Sequence, residues 1–316
     1  MKIFRLILFI LVLVNTVLAE TDTLTFWQKF KTGGNGSLIF NQISFLNWAK
    51  GGENAISSTA LFNYYANFKN EKFSWENIID LKYGLQISDE FGLRTNQDVI
   101  DLTSKLGYKA KENFYYGSMI NFKSQFAPGY NYPNDSVVVS KFLSPGYLII
   151  SLGLDYKPIE DLSLYLSPMT GKFIFVLDRV IADKGTYTSE PALYDNNGIK
   201  VKDGMTIKSD FGFYFKLNYK AEVFENIELN TKFEIFNNYT DKVIENRKNF
   251  DIDWESSLMM KVNEFISANL LLHLIYDNDI KVPLYEYKDG KKIQVGGGPR
   301  LQFKEVIGVG ISYKFQ

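Results

Sequence analysis

Apolar and polar residues alternate along most of this chain with a period of two. From Tyr147 to Tyr156, Leu148, Ile150, Leu152, Leu154 and Tyr156 share one face, and Tyr147, Ser151, Gly153 and Asp155 fall on the other. From Asp210 to Lys220, Phe211, Phe213, Phe215, Leu217 and Tyr219 alternate with Gly212, Tyr214, Lys216, Asn218 and Lys220. Ile227, Leu229, Phe233 and Ile235 alternate with Glu228, Asn230, Lys232 and Glu234. The last run sets Leu301, Phe303, Ile307, Val309, Ile311, Tyr313 and Phe315 against Gln302, Lys304, Gly308, Gly310, Ser312 and Lys314. Such alternation predicts strands with one apolar and one polar face.

A soluble sandwich alternates in the same way, so the pattern needs further features to decide it. The runs are about ten residues or longer, which suits a tilted membrane crossing. Their apolar faces end in Tyr, Phe or Trp, as aromatic girdles at the bilayer interfaces require. Connections alternate between short ones, near 69–73, 110–113, 157–161, 221–226 and 261–265, and long ones, near 47–55, 88–97, 127–146, 171–208, 237–249 and 278–300. These features predict an all-β fold, an antiparallel transmembrane β-barrel of about 12 strands, with short periplasmic turns and long external loops. Ascending strands are expected near 36–46, 74–87, 114–126, 162–170, 227–236 and 266–276. Descending ones are expected near 55–68, 97–109, 147–157, 209–220, 250–261 and 300–315. Descending strands end on an aromatic or apolar residue and then lysine, as in Tyr156-Lys157, Tyr219-Lys220 and Tyr313-Lys314. The aromatic is expected in the inner girdle and the lysine, one step on, toward the lumen mouth or the headgroups. Arginine at Leu152 or Phe215 should then impair assembly, while at Ser151 or Lys216 it should be mild. The segments beginning at Pro191 and Pro283 each carry an Asn-Gly or Asp-Gly turn and predict two small external hairpins.

The N-terminus changes the picture of where this barrel resides. Lys2 and Arg5 precede an apolar stretch from Leu6 to Val14 and a small-residue site before Glu20, the pattern of a cleaved signal peptide. Residues 1–19 are read as signal peptide, 20–35 as a periplasmic lead-in, and 36–316 as the barrel. Localisation in the outer membrane of a Gram-negative bacterium follows, with both termini periplasmic. Losing Lys2 and Arg5 leaves 33 of the 35 basic residues against 36 acidic ones. A net charge near −3 gives no reason to expect nucleic acid as a partner. There is no cysteine, which excludes thiol catalysis, thiolate metal sites and disulfides.

Candidate chemistry is sparse. His273 is the single histidine and shares a face with Ser267, Asn269 and Asp277. Ser267 lies ~20 Å away along one strand, beyond hydrogen-bond reach, so no catalytic residue is assigned. Asp251, Asp253 and Glu255 share a lumen face, and Glu228, Lys232 and Glu234 lie on the strand before. This cluster reads either as a bias toward cations or a Ca²⁺ site, or as part of a salt-bridge network filling a narrow barrel. No glycine motif has phosphate-loop context, and no cofactor is expected. The expected partners are outer-membrane lipid and the barrel-assembly machinery.

The segment from Phe40 to Gln86 resembles the uncharacterised outer-membrane barrels of Bacteroidota-type bacteria, a family defined by a domain of unknown function. The motif that carries the resemblance is NWAKGGEN, comprising Asn47, Trp48, Gly51, Gly52, Glu53 and Asn54. The phrase SPMTGKFIFVLDRVIADKGTY is similar too. The resemblance implies an outer-membrane barrel and assigns it no activity. Gln316 after Phe315 departs from the usual aromatic end. Two roles fit these readings. One is passage of small solutes through a porin-like barrel. The other is a structural or surface-binding barrel with a filled lumen, acting through its external loops. Twelve strands lie between the filled eight-stranded and the open sixteen-stranded barrels and leave both open.

Overall fold

A computed structural model of the chain describes residues 29–44, 54–89, 92–132, 134–188, 190–280, 282–288 and 291–315. Twelve strands form one closed antiparallel barrel: β1 (Lys31–Ile43), β2 (Ala55–Lys69), β3 (Phe73–Ser88), β4 (Gly92–Lys111), β5 (Phe114–Ser124), β6 (Gly146–Ile159), β7 (Leu162–Phe175), β8 (Ile207–Phe224), β9 (Ile227–Asn238), β10 (Asp251–Lys261), β11 (Ile266–Tyr276) and β12 (Gln302–Phe315). Each strand pairs with its sequence neighbours, and β12 returns to β1 to close the sheet. Closure matters because a bilayer offers no hydrogen-bond partner to an open strand edge.

The alternation read from the sequence maps onto the two faces. Ile150, Leu152, Leu154, Phe211, Trp254, Phe303, Ile307, Val309 and Ile311 point outward and are exposed, whereas Ser151, Asp155, Tyr214, Lys216 and Glu234 point inward and are buried. Exposed aliphatic and aromatic side chains over a whole barrel surface form a belt far larger than a soluble protein leaves in water. A bilayer covers it. At the short-turn end the belt closes in aromatic pairs: Phe114 stacks on Tyr156 at 4.5 Å between centroids, Phe73 meets Tyr108 edge-on at 5.3 Å, and Phe62 stacks on Phe315 at 6.1 Å. At the long-loop end Tyr83 meets Phe126 and Phe211 meets Tyr239, both at 6.3 Å. The aromatic–lysine ends work as the period of two requires. Tyr156 stays outside with Phe114, while Lys157 turns inward to Glu76 and to Asp155 at 3.3 Å. Likewise Lys220 and Lys314 reach the lumen carboxylate of Glu228 at 3.4 and 3.3 Å.

Four local features differ from the sequence reading. β1 begins at Lys31, about five residues before the expected start, because Gly33 and Gly34 fit a crowded turn of the barrel. A Cβ on Gly34 would meet the backbone of Asn63 and the ring of Phe315. The expected long loop near 88–97 is absorbed into paired strand, since β3 runs to Ser88 and β4 starts at Gly92. Polar residues such as Asn96 and Gln97 read as loop, yet they continue the lumen face there. The loop after β5 folds into a hairpin of Gly129–Asn131 with Asn134–Ser140, and the loop after β7 holds a helical turn, Arg179–Asp183. Neither has a period-two signal long enough to read. The two expected hairpins are present, with Leu193 opposite Lys202 and Val282 opposite Gly298. The proposed signal peptide lies outside the described residues.

The lumen also corrects one expectation. Ser151 is not a roomy position, because its Oγ lies 3.0 Å from the Tyr165 hydroxyl and both residues are fully buried. Leu152→Arg and Phe215→Arg should impair assembly, since arginine on the lipid face at mid-membrane costs ~2–4 kcal/mol. Ser151→Arg should now impair it as well, through overpacking. Lys216→Arg keeps the charge that faces Glu234 and should assemble normally. Heat-modifiable migration on gels checks all four; normal folding of Leu152→Arg would mean that its face does not meet lipid.

Candidate functional site

Charged side chains in a water-poor lumen must find opposite charges, because an isolated ion there costs far more than a pair. The barrel meets this demand by pairing across its bore. Lys82 on β3 binds Glu255 on β10. Lys232 on β9 binds Asp80 on β3 and approaches Asp101 on β4 at 3.8 Å. Lys123 on β5 reaches Glu234 on β9 at 3.0 Å and Asp253 on β10 at 3.5 Å. Glu234 also takes Lys216 at 3.0 Å. Nearer the long loops Lys172 on β7 binds Asp251 on β10 at 3.1 Å. Nearer the short turns Lys105 on β4 joins Asp155 on β6 at 2.7 Å and Glu76 at 3.1 Å. Apart from Lys216 with Glu234 and Lys105 with Glu76, which lie opposite each other on neighbouring strands, these pairs join strands that are not neighbours in the sheet and so bridge space inside the barrel.

The six lumen residues singled out from the sequence therefore share one interior, but not as an unpaired acidic ladder. Asp251, Asp253 and Glu255 each face a lysine from a distant strand, Glu228 faces Lys220 and Lys314, Glu234 faces Lys123 and Lys216, and Lys232 faces Asp80. Among the described residues no group of three or more His, Asp or Glu side chains is placed to hold a metal ion. On the β5–β9 wall the lumen is filled by an apolar cluster of Met119, Ile149, Tyr165, Tyr214 and Phe236, all buried. Gly117 makes this possible, because a Cβ there would stand 2.8 Å from the Tyr165 ring. Between network and cluster lies a cavity of about 20 Å³, beside Glu76, Met119 and Lys232.

His273 does find a partner on the adjacent strand: its Nε2 lies 2.8 Å from Asp253 Oδ1. Ser267 is engaged elsewhere, at the short-turn end, where its Oγ accepts from Asn269 at 3.0 Å and lies 3.2 Å from Ser312 Oγ. The pair of His273 and Asp253 thus sits inside the charge network with no hydroxyl of Ser267 in reach. Of the NWAKGGEN residues, Asn47, Trp48, Gly51, Gly52 and Glu53 lie outside the described residues. Asn54 donates to Asp89 Oδ2 at 2.7 Å across the β2 and β3 ends.

Two features had no counterpart in the sequence reading. A cavity of about 300 Å³ opens toward the long-loop end between β1, β2, β4 and β12, with Lys304 on its wall. The long loops also carry a small core of their own, in which Val176, Ile181 and Ala182 pack with Val138 and Tyr187. Asp178 caps the helical turn by accepting from the Ile181 amide at 3.0 Å. Hydrogen bonding to the Lys141 ammonium, then to that amide, holds its carboxyl below the usual range.

If bore-crossing pairs are what stabilise the interior, removing one partner should cost much more than removing both. Lys232→Ala and Asp80→Ala should each destabilise the barrel by about 3–5 kcal/mol, and the double variant by clearly less than their sum. Urea unfolding in lipid vesicles measures the cycle; simple additivity would show that the two side chains do not interact.

Comparison with known proteins adds no activity. Residues 40–130 match a family described as "Protein of unknown function (DUF3078)". No curated protein matches the chain. Among solved structures, the COG4313 outer membrane channel from Pseudomonas putida F1 is 14% identical with a TM-score of 0.37, covering 94% of this chain and 100% of that one. The beta domain of the Bordetella autotransporter BrkA is 10% identical with a TM-score of 0.32, covering 90% and 100%. A Pseudomonas aeruginosa FadL homologue is 10% identical with a TM-score of 0.28, covering 90% and 89%. At these scores the likeness carries no functional argument. The closed sheet and its apolar belt are those of an integral outer-membrane protein.

Proposed function

We propose that this protein is a non-enzymatic outer-membrane barrel whose bore is closed at rest and which acts from its outer half. The observation that carries this reading is the set of ion pairs joining β3, β4 and β5 to β9 and β10 through the middle of the lumen. An open diffusion pore keeps its charged side chains against the wall, in water. Here they meet in the centre. Passage of small solutes, the second reading, requires these pairs to part, so it is a gated property and not a resting one. The family match, which spans Phe40 and Asn54, supports NWAKGGEN as a family signature of Bacteroidota-type barrels.

Purified protein in a planar bilayer should show no conductance steps above background. A variant carrying Asp80→Ser, Lys232→Ser, Lys82→Ser and Glu255→Ser removes two bore-crossing pairs together and should conduct. Large, frequent steps from the unaltered protein would sink the closed-bore reading in favour of a resting channel.

Orientation is part of the same proposal: short turns toward the periplasm, long loops outward. The absence of cysteine allows single-cysteine labelling without background. Asn197→Cys, in the hairpin after β7, should react with an impermeant thiol reagent on whole cells. Glu160→Cys, Glu225→Cys and Asn263→Cys, in the short turns, should react only once the outer membrane is broken. The opposite pattern would invert the barrel.

A further inference from the structure

The closing seam of the barrel is incomplete in its outer half. β1 and β12 pair from Gly34 opposite Phe315 to Phe40 opposite Val309 and no further. The same register continued would set Asn41, Gln42 and Ile43 against Gly308, Ile307 and Val306, yet among the described residues these positions do not pair. Both strands are paired on their other sides there: Asn41–Ile43 with β2, and Gln302–Gly308 with β11. Among the described residues, one edge of β12 is therefore left without a β1 partner over Val306–Gly308. Tyr313 stands in the inner aromatic girdle and Phe303 lies ten residues along, about one membrane crossing. The gap thus falls within the bilayer, in its outer half. Unpaired backbone at that depth is tolerated only beside water or polar groups.

Polar groups are what the gap opens onto. The cavity of about 300 Å³ lies directly behind it, at the lower end of the ~300–1,000 Å³ usual for ligand pockets. Asn41, Ser57, Thr59, Asn96 and Gln97 line it, with Lys304. The Asn41 and Asn96 carboxamide oxygens are buried without a partner, in room left by Gly308 and Gly84. Lys304 differs from the lysines of the network. Its ammonium donates to the Asn96 carbonyl at 2.7 Å and to the Gln97 side chain, both neutral, and forms no ion pair among the described residues. The path from the gap to this cation is apolar: Leu271, Val306 and Ile307 line it. Glu305 faces outward beside them and is exposed, so it keeps the mouth hydrated.

We infer that the cavity takes the carboxylate of a single-chain amphiphile, with its head on Lys304 and its aliphatic tail lying through the gap between β1 and β12. A cation without a counter-ion, ringed by amides and reached along aliphatic side chains from the lipid, fits that chemistry. The acid form passes Glu305 without repulsion and ionises at Lys304, giving its proton to water. This inference rests on a bore closed below the cavity, so the head has no continuous path to the periplasm.

The full chain in lipid nanodiscs, titrated with radiolabelled dodecanoate, dodecanol and acetate against protein-free discs, tests it. Dodecanoate should bind saturably at one per barrel, and dodecanol and acetate at least tenfold more weakly. Lys304→Met should weaken dodecanoate at least tenfold, and Lys304→Arg should restore most of the loss. Val306→Trp, which fills the path without touching the charge, should weaken it similarly, and covers the case in which Lys304→Met fails to fold. Joining Gln42→Cys to Ile307→Cys with a short bis-maleimide should slow dodecanoate entry from the disc. Equal binding of dodecanol and dodecanoate, or indifference to Lys304→Met, overturns the head site. Acetate as tight as dodecanoate, or unchanged entry after bridging, overturns the lateral path. A conducting bore would sink the closed-lumen reading and leave these binding results standing.

Discussion

A charge buried inside a membrane barrel has nowhere to go except toward another charge, and the interior of this protein follows from that constraint. The outward face is committed to apolar side chains by the bilayer. The inward face then receives most of the lysines, aspartates and glutamates that the strands carry. Because the lumen of twelve strands is narrow enough for these side chains to meet, they pair across it as well as along the wall. Lys82 with Glu255, Lys232 with Asp80 and Lys123 with Glu234 and Asp253 act as struts. The same contacts that satisfy the charges also close the bore.

The struts are not distributed evenly. They join β3, β4 and β6 to one another, and β3, β4, β5 and β7 to β9 and β10, while Lys216 on β8 pairs with Glu234 on β9. β1 and β2 contribute none of the lumen ion pairs described; their inward side chains are Ser37, Ile39, Asn41, Ser57, Thr59 and Asn63. β12 is held to the far wall at its short-turn end, through Lys314 and Glu228. Its other lumen lysine, Lys304, reaches only neutral oxygens on β4.

The strands were legible in the sequence because alternation against a lipid belt is a local property of each segment. Tyr147–Tyr156 or Gln302–Phe315 can be assigned without knowing any neighbour. Their inward and outward faces follow from the same count, which is why Lys157 and Lys314 could be placed at the lumen mouth. Partners across the bore were not legible. Which lysine meets Glu255 depends on the stagger of the six strands between β3 and β10, and a shift of two residues anywhere would choose another. The misreading of 88–97 as loop has a related cause. Asn96 and Gln97 are polar because they face the outer cavity, and a polar lumen face looks like a loop when the outward face is short. Ser151 shows the converse limit: sequence reveals the face, but not that Tyr165 already fills the space beside it.

The uneven strutting explains why a closed bore and an open seam occur in the same barrel. A sheet whose far wall is clamped by ion pairs concentrates its remaining freedom where the clamps end. That place is β1 and β12, whose ladder is anchored near the short turns by Gly34 opposite Phe315 and stops at Phe40 opposite Val309. Continuing the ladder would bring Gly308 backbone closer to Asn41, whose carboxamide already occupies the space a Cβ on Gly308 would need. The polar side chains that hold the outer cavity apart therefore also limit how far the seam can zip. Extra room at that point gives access from the lipid to Lys304. The struts below it keep that access from becoming a channel.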